Sequence, residues 1–289
     1  MLIQVGFLVS YDYQFLYNAI PNIYSGADTI FLALDMNRKT WKGETFSIES
    51  GFFDWIQKID TEKKIVLYED NFYMPRMSTM ECEVRERKML ADQMGIGNWL
   101  LQIDADEYFV NFDRFKDYLQ SHNHLFNNPH KTPVNVSPFS INLYKKVKEG
   151  YLVVAKPTKQ WIATNMPEYV IGRKTRNPVL FHDSLMVHEC LSRTREDLEL
   201  KLDNWGHNAD INKVNFLHKW DAVNENNYKT MQDFFYLDAN RWKKLIYVKA
   251  NSITELTTNI QNHKQLYPAR IPLYIRNLKT RIKYLNILR

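Results

Sequence analysis

The first 110 residues repeat one device four times: a mostly apolar run of strand length, followed by a segment with helical spacing. "LIQVGFLVS" (2–10), "DTIFLALD" (28–35), "KKIVLYED" (63–70) and "NWLLQIDA" (98–105) are the runs. Between them lie "YQFLYNAIPNIYSG", "SGFFDWIQKID" and "STMECEVRERKMLADQMG". Short apolar strands alternating with helices predict a mostly parallel sheet with helices on both faces, because a strand buried on both sides must be greasy throughout. Ser50 is placed to open the second helix; Ser78 with Glu81 forms a capping box and Gly95 a stop for the third. A fourth helix follows from Asn111.

The strand ends are more informative than the strands. Asp12 follows the first, Asp35 closes the second, and the fourth runs into Asp104, Asp106 and Glu107, walled by Trp99, Ile103, Tyr108 and Phe109. Open parallel sheets bind ligands beyond the carboxyl ends of their strands, so these acids lie where chemistry is done. Carboxylates this close repel one another and lose hydration when buried, so a positive group is required to hold them together. Hard divalent ions such as Mg²⁺ or Mn²⁺ prefer carboxylate oxygens and share a diphosphate as co-ligand. The bland alternative is a strand-end turn of solvated acids.

After residue 132 the texture changes. "TPVNVSPFSINLYKKVKEGYLVVAKP" alternates and carries prolines, predicting antiparallel or edge strands; 178–191 is a further strand, Thr194 opens a helix, and the aromatic stretch 228–248 is expected to be helical. No repeat or linker divides the chain, which predicts a single catalytic domain over 1–250, its halves meeting near 110, and a basic helical extension over 251–289.

Composition narrows the classes. With 45% hydrophobic and 25% charged residues the chain can bury a core. A net charge of +5 suits an anionic ligand but is too diffuse for a nucleic-acid partner. Cys82 and Cys190 stand far apart, in no ligand spacing, and are expected to be free thiols in a reducing compartment. The opening "MLIQVGFLVSYDYQ" has no basic n-region, and no run reaches the roughly 18 apolar residues of a spanning helix, so the expected location is cytoplasmic, with surface attachment to a membrane as the extension. There is no Walker A, G-x-S-x-G, zinc spacing or Rossmann glycine pattern.

"GNWLLQIDADEYF", preceded by a helix carrying Arg87, resembles the D-x-D region of family 2-type glycosyltransferases with the GT-A fold. Arg87-Lys88 stands where that family reads R-N, and Gly97-Asn98-Trp99 where it reads G-x-Y. "SYDY" resembles the strand exit that approaches the nucleotide. The resemblance covers residues 1–110 and, more loosely, continues to about 210. It implies transfer of a sugar from a nucleoside-diphosphate sugar, a UDP-sugar being favoured, to a glycan or lipid-linked acceptor, with a divalent metal as cofactor. Carried over residue by residue, it implies Tyr11, Asp12, Asp35, Arg87 and Asp104 toward the donor; Asp104 and Asp106 toward the metal; and Glu189 as the base of an inverting reaction, though His188-Glu189 stands where the family has E-D. Asp183 and Asp233 are rivals for that role. Beside the resemblance, Arg38 is a cation available to the leaving diphosphate, and His207, in a loop after a helix and a glycine, either completes the metal shell or caps the helix end. Trp161 and His188 are candidates for acceptor contacts, and "KTW" (39–41) for a loop over the donor. The competing enzyme, a nucleotidyltransferase making nucleotide sugars, needs a glycine-rich loop that "VSYDYQ" lacks. A non-catalytic carbohydrate- or membrane-binding module on the same fold is the other alternative.

At the carboxyl end, Leu278, Ile282, Leu285 and Leu288 recur at helical spacing among Arg276, Lys279, Arg281, Lys283 and Arg289. A basic amphipathic helix of this kind lies on an anionic membrane or packs back on its own domain.

Overall fold

The structure, a computed structural model, describes residues 1–206, 211–235 and 241–288. The α/β class and the parallel core expected from the alternation are both present. Strands β1 (Ile3–Val9), β2 (Thr29–Asp35), β3 (Ile65–Asp70) and β4 (Trp99–Asp104) form a parallel sheet in the order β3-β2-β1-β4. Helices α1 (Leu16–Ile23), α2 (Ser50–Ile59), α3 (Thr79–Met94) and α4 (Phe112–Gln120) cover it. Alternate residues serve opposite faces: Val5, Phe7 and Val9 pack with α1, α2 and α4, while Leu8, Phe31, Ala33 and Leu100 pack with Leu90, Ala91 and Met94 of α3. Helix α3 lies so close that a Cβ on Gly6 would come within 2.7 Å of Leu90. Its capping box is complete, with Ser78 and Glu81 each bonded to the other's backbone N–H.

Short β5 (Glu107–Phe109) turns back from β4. The long β6 (Asn135–Val147) pairs antiparallel with β7 (Gly150–Val154), β8 (Thr158–Lys159) and β9 (Ala163–Thr164), and parallel with β10 (Val179–His188). Strand β9 joins the halves, running antiparallel to both β4 and β6. The sheet is therefore continuous between the two halves. Helices α5 (Arg195–Asn204) and α6 (Lys213–Ala222) close a second core with Tyr144, Leu191, Leu198 and Trp220.

One expectation fails outright. The described residues of 228–248 contain no helix, and Leu245–Lys249 is strand β11, paired antiparallel with β7. "LIYVK" is rich in β-branched and aromatic side chains, and the free edge of β7 takes it up. The final segment, α7 (Ile253–Ile260) and α8 (Arg270–Leu288), is built onto the domain: Leu256, Ile260, Leu266 and Tyr284 belong to the main core. Both cysteines are free and buried.

Candidate active site

The acidic knot at the end of β4 is held by side-chain cations from distant parts of the chain. Arg87 Nη2 lies 2.8 Å from Asp104 Oδ1 and 3.0 Å from Glu83 Oε1. Arg173 reaches Asp104 Oδ2 at 3.3 Å and forks onto Glu107 at 2.5 and 2.8 Å. Asp106 Oδ2 accepts from both Arg193 Nη2, at 2.5 Å, and Lys201 Nζ, at 2.7 Å. His188 Nε2 stands 3.4 Å from the other oxygen of Asp106. Burial alone would favour the neutral acids. Arg173 and Arg87 outweigh it at Asp104, as Lys201, His188 and Arg193 do at Asp106, so both stay ionised well below the usual carboxylate range.

The antiparallel β5–β10 pair explains how the second half reaches this knot. It sets His188 opposite Glu107, and the Glu189 N–H donates to the Asp106 carbonyl at 2.9 Å. The chain then turns sharply through Cys190, at φ +27°, a conformation a residue with a Cβ adopts only under constraint. Arg193 follows the turn and Lys201 comes from α5, whose Thr194 side chain caps it as expected.

Two cavities meet at this point. The narrower, about 120 Å³, opens over the carboxyl ends of β1, β2 and β4; Trp41, Glu86, Arg87, Asp106, His188 and Lys201 are among its walls. The larger, about 730 Å³, is bordered by Phe15, Lys146, Tyr151, Glu189 and Arg193. Tyr11 and Asp12 line both. Asp12 also accepts from Arg193 Nη2 at 3.1 Å, so the junction is one continuous ion network.

The sequence-predicted residues divide sharply. Tyr11 and Asp12 lie where the cavities meet, Glu189 lines the larger one, and Arg87, Asp104 and Asp106 line the narrow cleft with the "KTW" residues Lys39, Thr40 and Trp41. Asp35 lines it as well, but its two oxygens accept the backbone N–H groups of Asn37, Lys39, Phe72 and Tyr73 at 2.9 to 3.1 Å. It therefore pins the 37–39 loop, which leads into the cleft wall at Lys39, Thr40 and Trp41, to the loop at Phe72 and Tyr73. Arg38 turns away to Glu69, at 2.6 Å. His188, expected toward the acceptor, lines the narrow cleft and not the larger cavity. Trp161 lines neither cavity and sits beneath Lys174 Nζ, at 5.1 Å. Asp183 is bound by Arg114 and Arg270, and Asp233 is exposed and borders neither cavity. His207 lies outside the described residues.

Glu189 and Glu86 are acids whose surroundings differ, and Glu189 is the one on the larger cavity. It is buried, and its Oε1 accepts from the Tyr108 hydroxyl at 2.6 Å. Burial pushes its carboxyl up to about 7; the Tyr108 bond opposes that shift and the charge of Asp106 adds to it. Glu86, buried against the Trp41 indole N–H at 2.6 Å, is pushed up to about 8 by burial.

A divalent ion does not fit the D-x-D pair as it stands. Three of its four carboxylate oxygens carry Arg or Lys nitrogens and the fourth faces His188, so an ion must displace cations to enter. Among the described residues, no group of three or more His, Cys, Asp and Glu comes together in a way that would hold a metal.

Sequence reading missed Arg173, Arg193 and Lys201. The first two lie in segments without a pattern, and Lys201 reads as an ordinary helix-surface cation. Glu83 and Glu86 were also missed but findable, since their spacing puts them on one face of α3 with Arg87.

No family model matches this chain, and no curated protein does. Solved structures match only loosely. They include S. aureus TarS residues 1–349 (TM-score 0.29, 11% identity, over 48% of this chain and 36% of that one). Mannose-6-phosphate isomerase from Helicobacter pylori gives 0.31 and 11%, over 48% and 51%. Mannose-1-phosphate geranyltransferase from Thermus thermophilus gives 0.26 and 7%, over 60% and 50%. The chain thus spans between about a third and a half of those structures, and superpositions this loose carry no conclusion about function.

Proposed function

We propose that this protein is an inverting glycosyltransferase that moves a sugar from a nucleoside-diphosphate sugar, UDP-linked by preference, to a hydroxyl of a glycan or lipid-linked acceptor. The observation that carries the reading is Glu189: a carboxyl raised to about 7, on the wall of the larger cavity, beside the strand-end acids and cations of the narrow cleft. A base works best when its pKa lies near the operating pH. In this reading the donor occupies the narrow cleft and the acceptor the larger cavity. The acceptor oxygen attacks the anomeric carbon as Glu189 takes its proton. The bond from that carbon to the phosphate oxygen breaks, and the electron pair leaves with the nucleoside diphosphate.

Negative charge grows on that leaving group, and fixed cations stabilise it most where water is excluded. Lys201 and Arg193 stand at the junction for this purpose. No step here requires an ion in the D-x-D pair.

Glu189→Gln tests the reading. The amide keeps the shape and cannot take the proton, so transfer should fall by about 10²-fold or more while nucleoside-diphosphate affinity persists. In the wild type kcat/KM should rise with pH through about 7, and the variant should lose that limb. Unchanged transfer in the variant moves the base elsewhere. Transfer of a nucleotidyl group, with pyrophosphate released, would establish the competing enzyme class.

A further inference from the structure

Helix α8 buries one side and leaves the opposite side greasy. Asn277 and Tyr284 are buried and Leu273 packs partly against the core; Asn277 bonds the backbone of Phe181 in both directions, at 2.9 and 2.7 Å. Facing away, Ile271, Tyr274, Ile275, Leu278 and Ile282 are 39 to 76% exposed. At 3.6 residues per turn these five fall within an arc of about 100°. The packed residues lie on the far side of the helix. Exposed Lys279 and Lys283 border one margin of the stripe, with Arg276 beyond them over the Phe181 ring; Arg270, paired with Asp183, and half-buried Arg281 stand at the other. From Leu256 to Arg289 the chain has seven Lys and Arg and no Asp or Glu.

We infer that this outer face of α8 is a docking surface for an anionic membrane, with the helix lying in the plane of the interface. Apolar side chains in a row beside a basic margin match that boundary: the stripe enters the acyl region while the ammonium groups of Lys279 and Lys283 meet lipid phosphates. No helix of the described residues is long and apolar enough to cross a bilayer, so the helix lies on the surface without spanning it. A second copy of the chain suits the face poorly. The stripe exposes on the order of 500 Å², short of the roughly 800 Å² per partner that a stable dimer buries, and pairing two copies would bring like charges together. The inference stands apart from the catalytic reading, since it uses neither cavity.

Vesicle co-sedimentation of the full chain tests it, using phosphatidylcholine alone and phosphatidylcholine mixed with phosphatidylglycerol. The wild type should pellet with the mixed vesicles and not with the neutral ones. Ile275→Ser with Ile282→Ser should weaken binding at least about tenfold, because two side chains no longer enter the acyl region. Lys279→Glu with Lys283→Glu should weaken it by more than about tenfold through lost attraction to anionic lipid. All four positions are exposed, so melting temperatures should match the wild type and exclude misfolding. Wild-type protein that ignores anionic vesicles, or variants that bind them equally, would overturn the inference. So would a concentration-dependent dimer, seen by sedimentation velocity, that the Ile pair abolishes; it would give the face to a second copy.

Discussion

Replacing Asp106 by Asn distinguishes a site organised by side-chain cations from one organised by a metal. Arg193 Nη2 and Lys201 Nζ both approach Asp106 Oδ2, at 2.5 and 2.7 Å, so the two cations stand no more than about 5 Å apart. Each of these residues is only 8% exposed. With the carboxylate gone, their repulsion amounts to about 3 kcal/mol at an effective dielectric constant of about 20. Removing one partner of a buried ion pair typically costs about 3–5 kcal/mol. The two routes agree, and the expected loss is about 3–5 kcal/mol, or a fall in Tm on the order of 10 °C. The assay is urea unfolding in buffer with chelator, with the m-value checked for constancy. Pairing the change with Lys201→Met removes one stranded cation and should recover about 1–2 kcal/mol of that loss. The reasoning is refuted if Asp106→Asn lies within about 1 kcal/mol of the wild type in chelator while Mn²⁺ stabilises only the wild type. That pattern would mean an ion, not Lys201 and Arg193, neutralises the pair.

Two further outcomes follow from buried carboxylates on the narrow cleft. Glu86, raised to about 8, keeps in the native state a proton that the unfolded chain releases above about pH 4.5. Its contribution to stability is therefore full below that pH and is lost as pH rises through about 8. Glu86→Gln should flatten the decline and exceed the wild type in stability at alkaline pH, read by thermal melts across pH; a parallel decline in both proteins would contradict the assignment. Asp35→Ala strands four backbone N–H groups in two loops, one of which supplies a wall of the cleft. It should cost about 2–4 kcal/mol and speed amide exchange at Asn37, Lys39, Phe72 and Tyr73, whereas protection equal to the wild type would show that these loops do not depend on it.

The layout of the first half is legible in the amino-acid sequence because its cues are local. Apolar runs set β1 to β4, Ser78 with Glu81 starts α3, Asn111 starts α4, and strand-end acids in a parallel sheet must gather on one rim. Glu189 is named only by the family resemblance, with Asp183 and Asp233 as rivals, and the β5–β10 pairing is what carries it to the knot. What neutralises the knot is not legible there. Arg173, Arg193 and Lys201 come from 66 to 95 residues further along the chain and meet the acids only after β9 and β10 join the sheet. An ion pair depends on distance in space, which no local pattern encodes. Metal and side-chain cations are equally good answers to a row of carboxylates read as text. Residues 245–249 form a strand because the open edge of β7 offers hydrogen bonds that outweigh the helical reading. Periodicity likewise announces an apolar stripe on α8 without saying which way it faces. A stripe looks the same whether it turns to the core or to the surroundings, and the docking of Leu273, Asn277 and Tyr284 onto the domain leaves Ile275 and Ile282 outside.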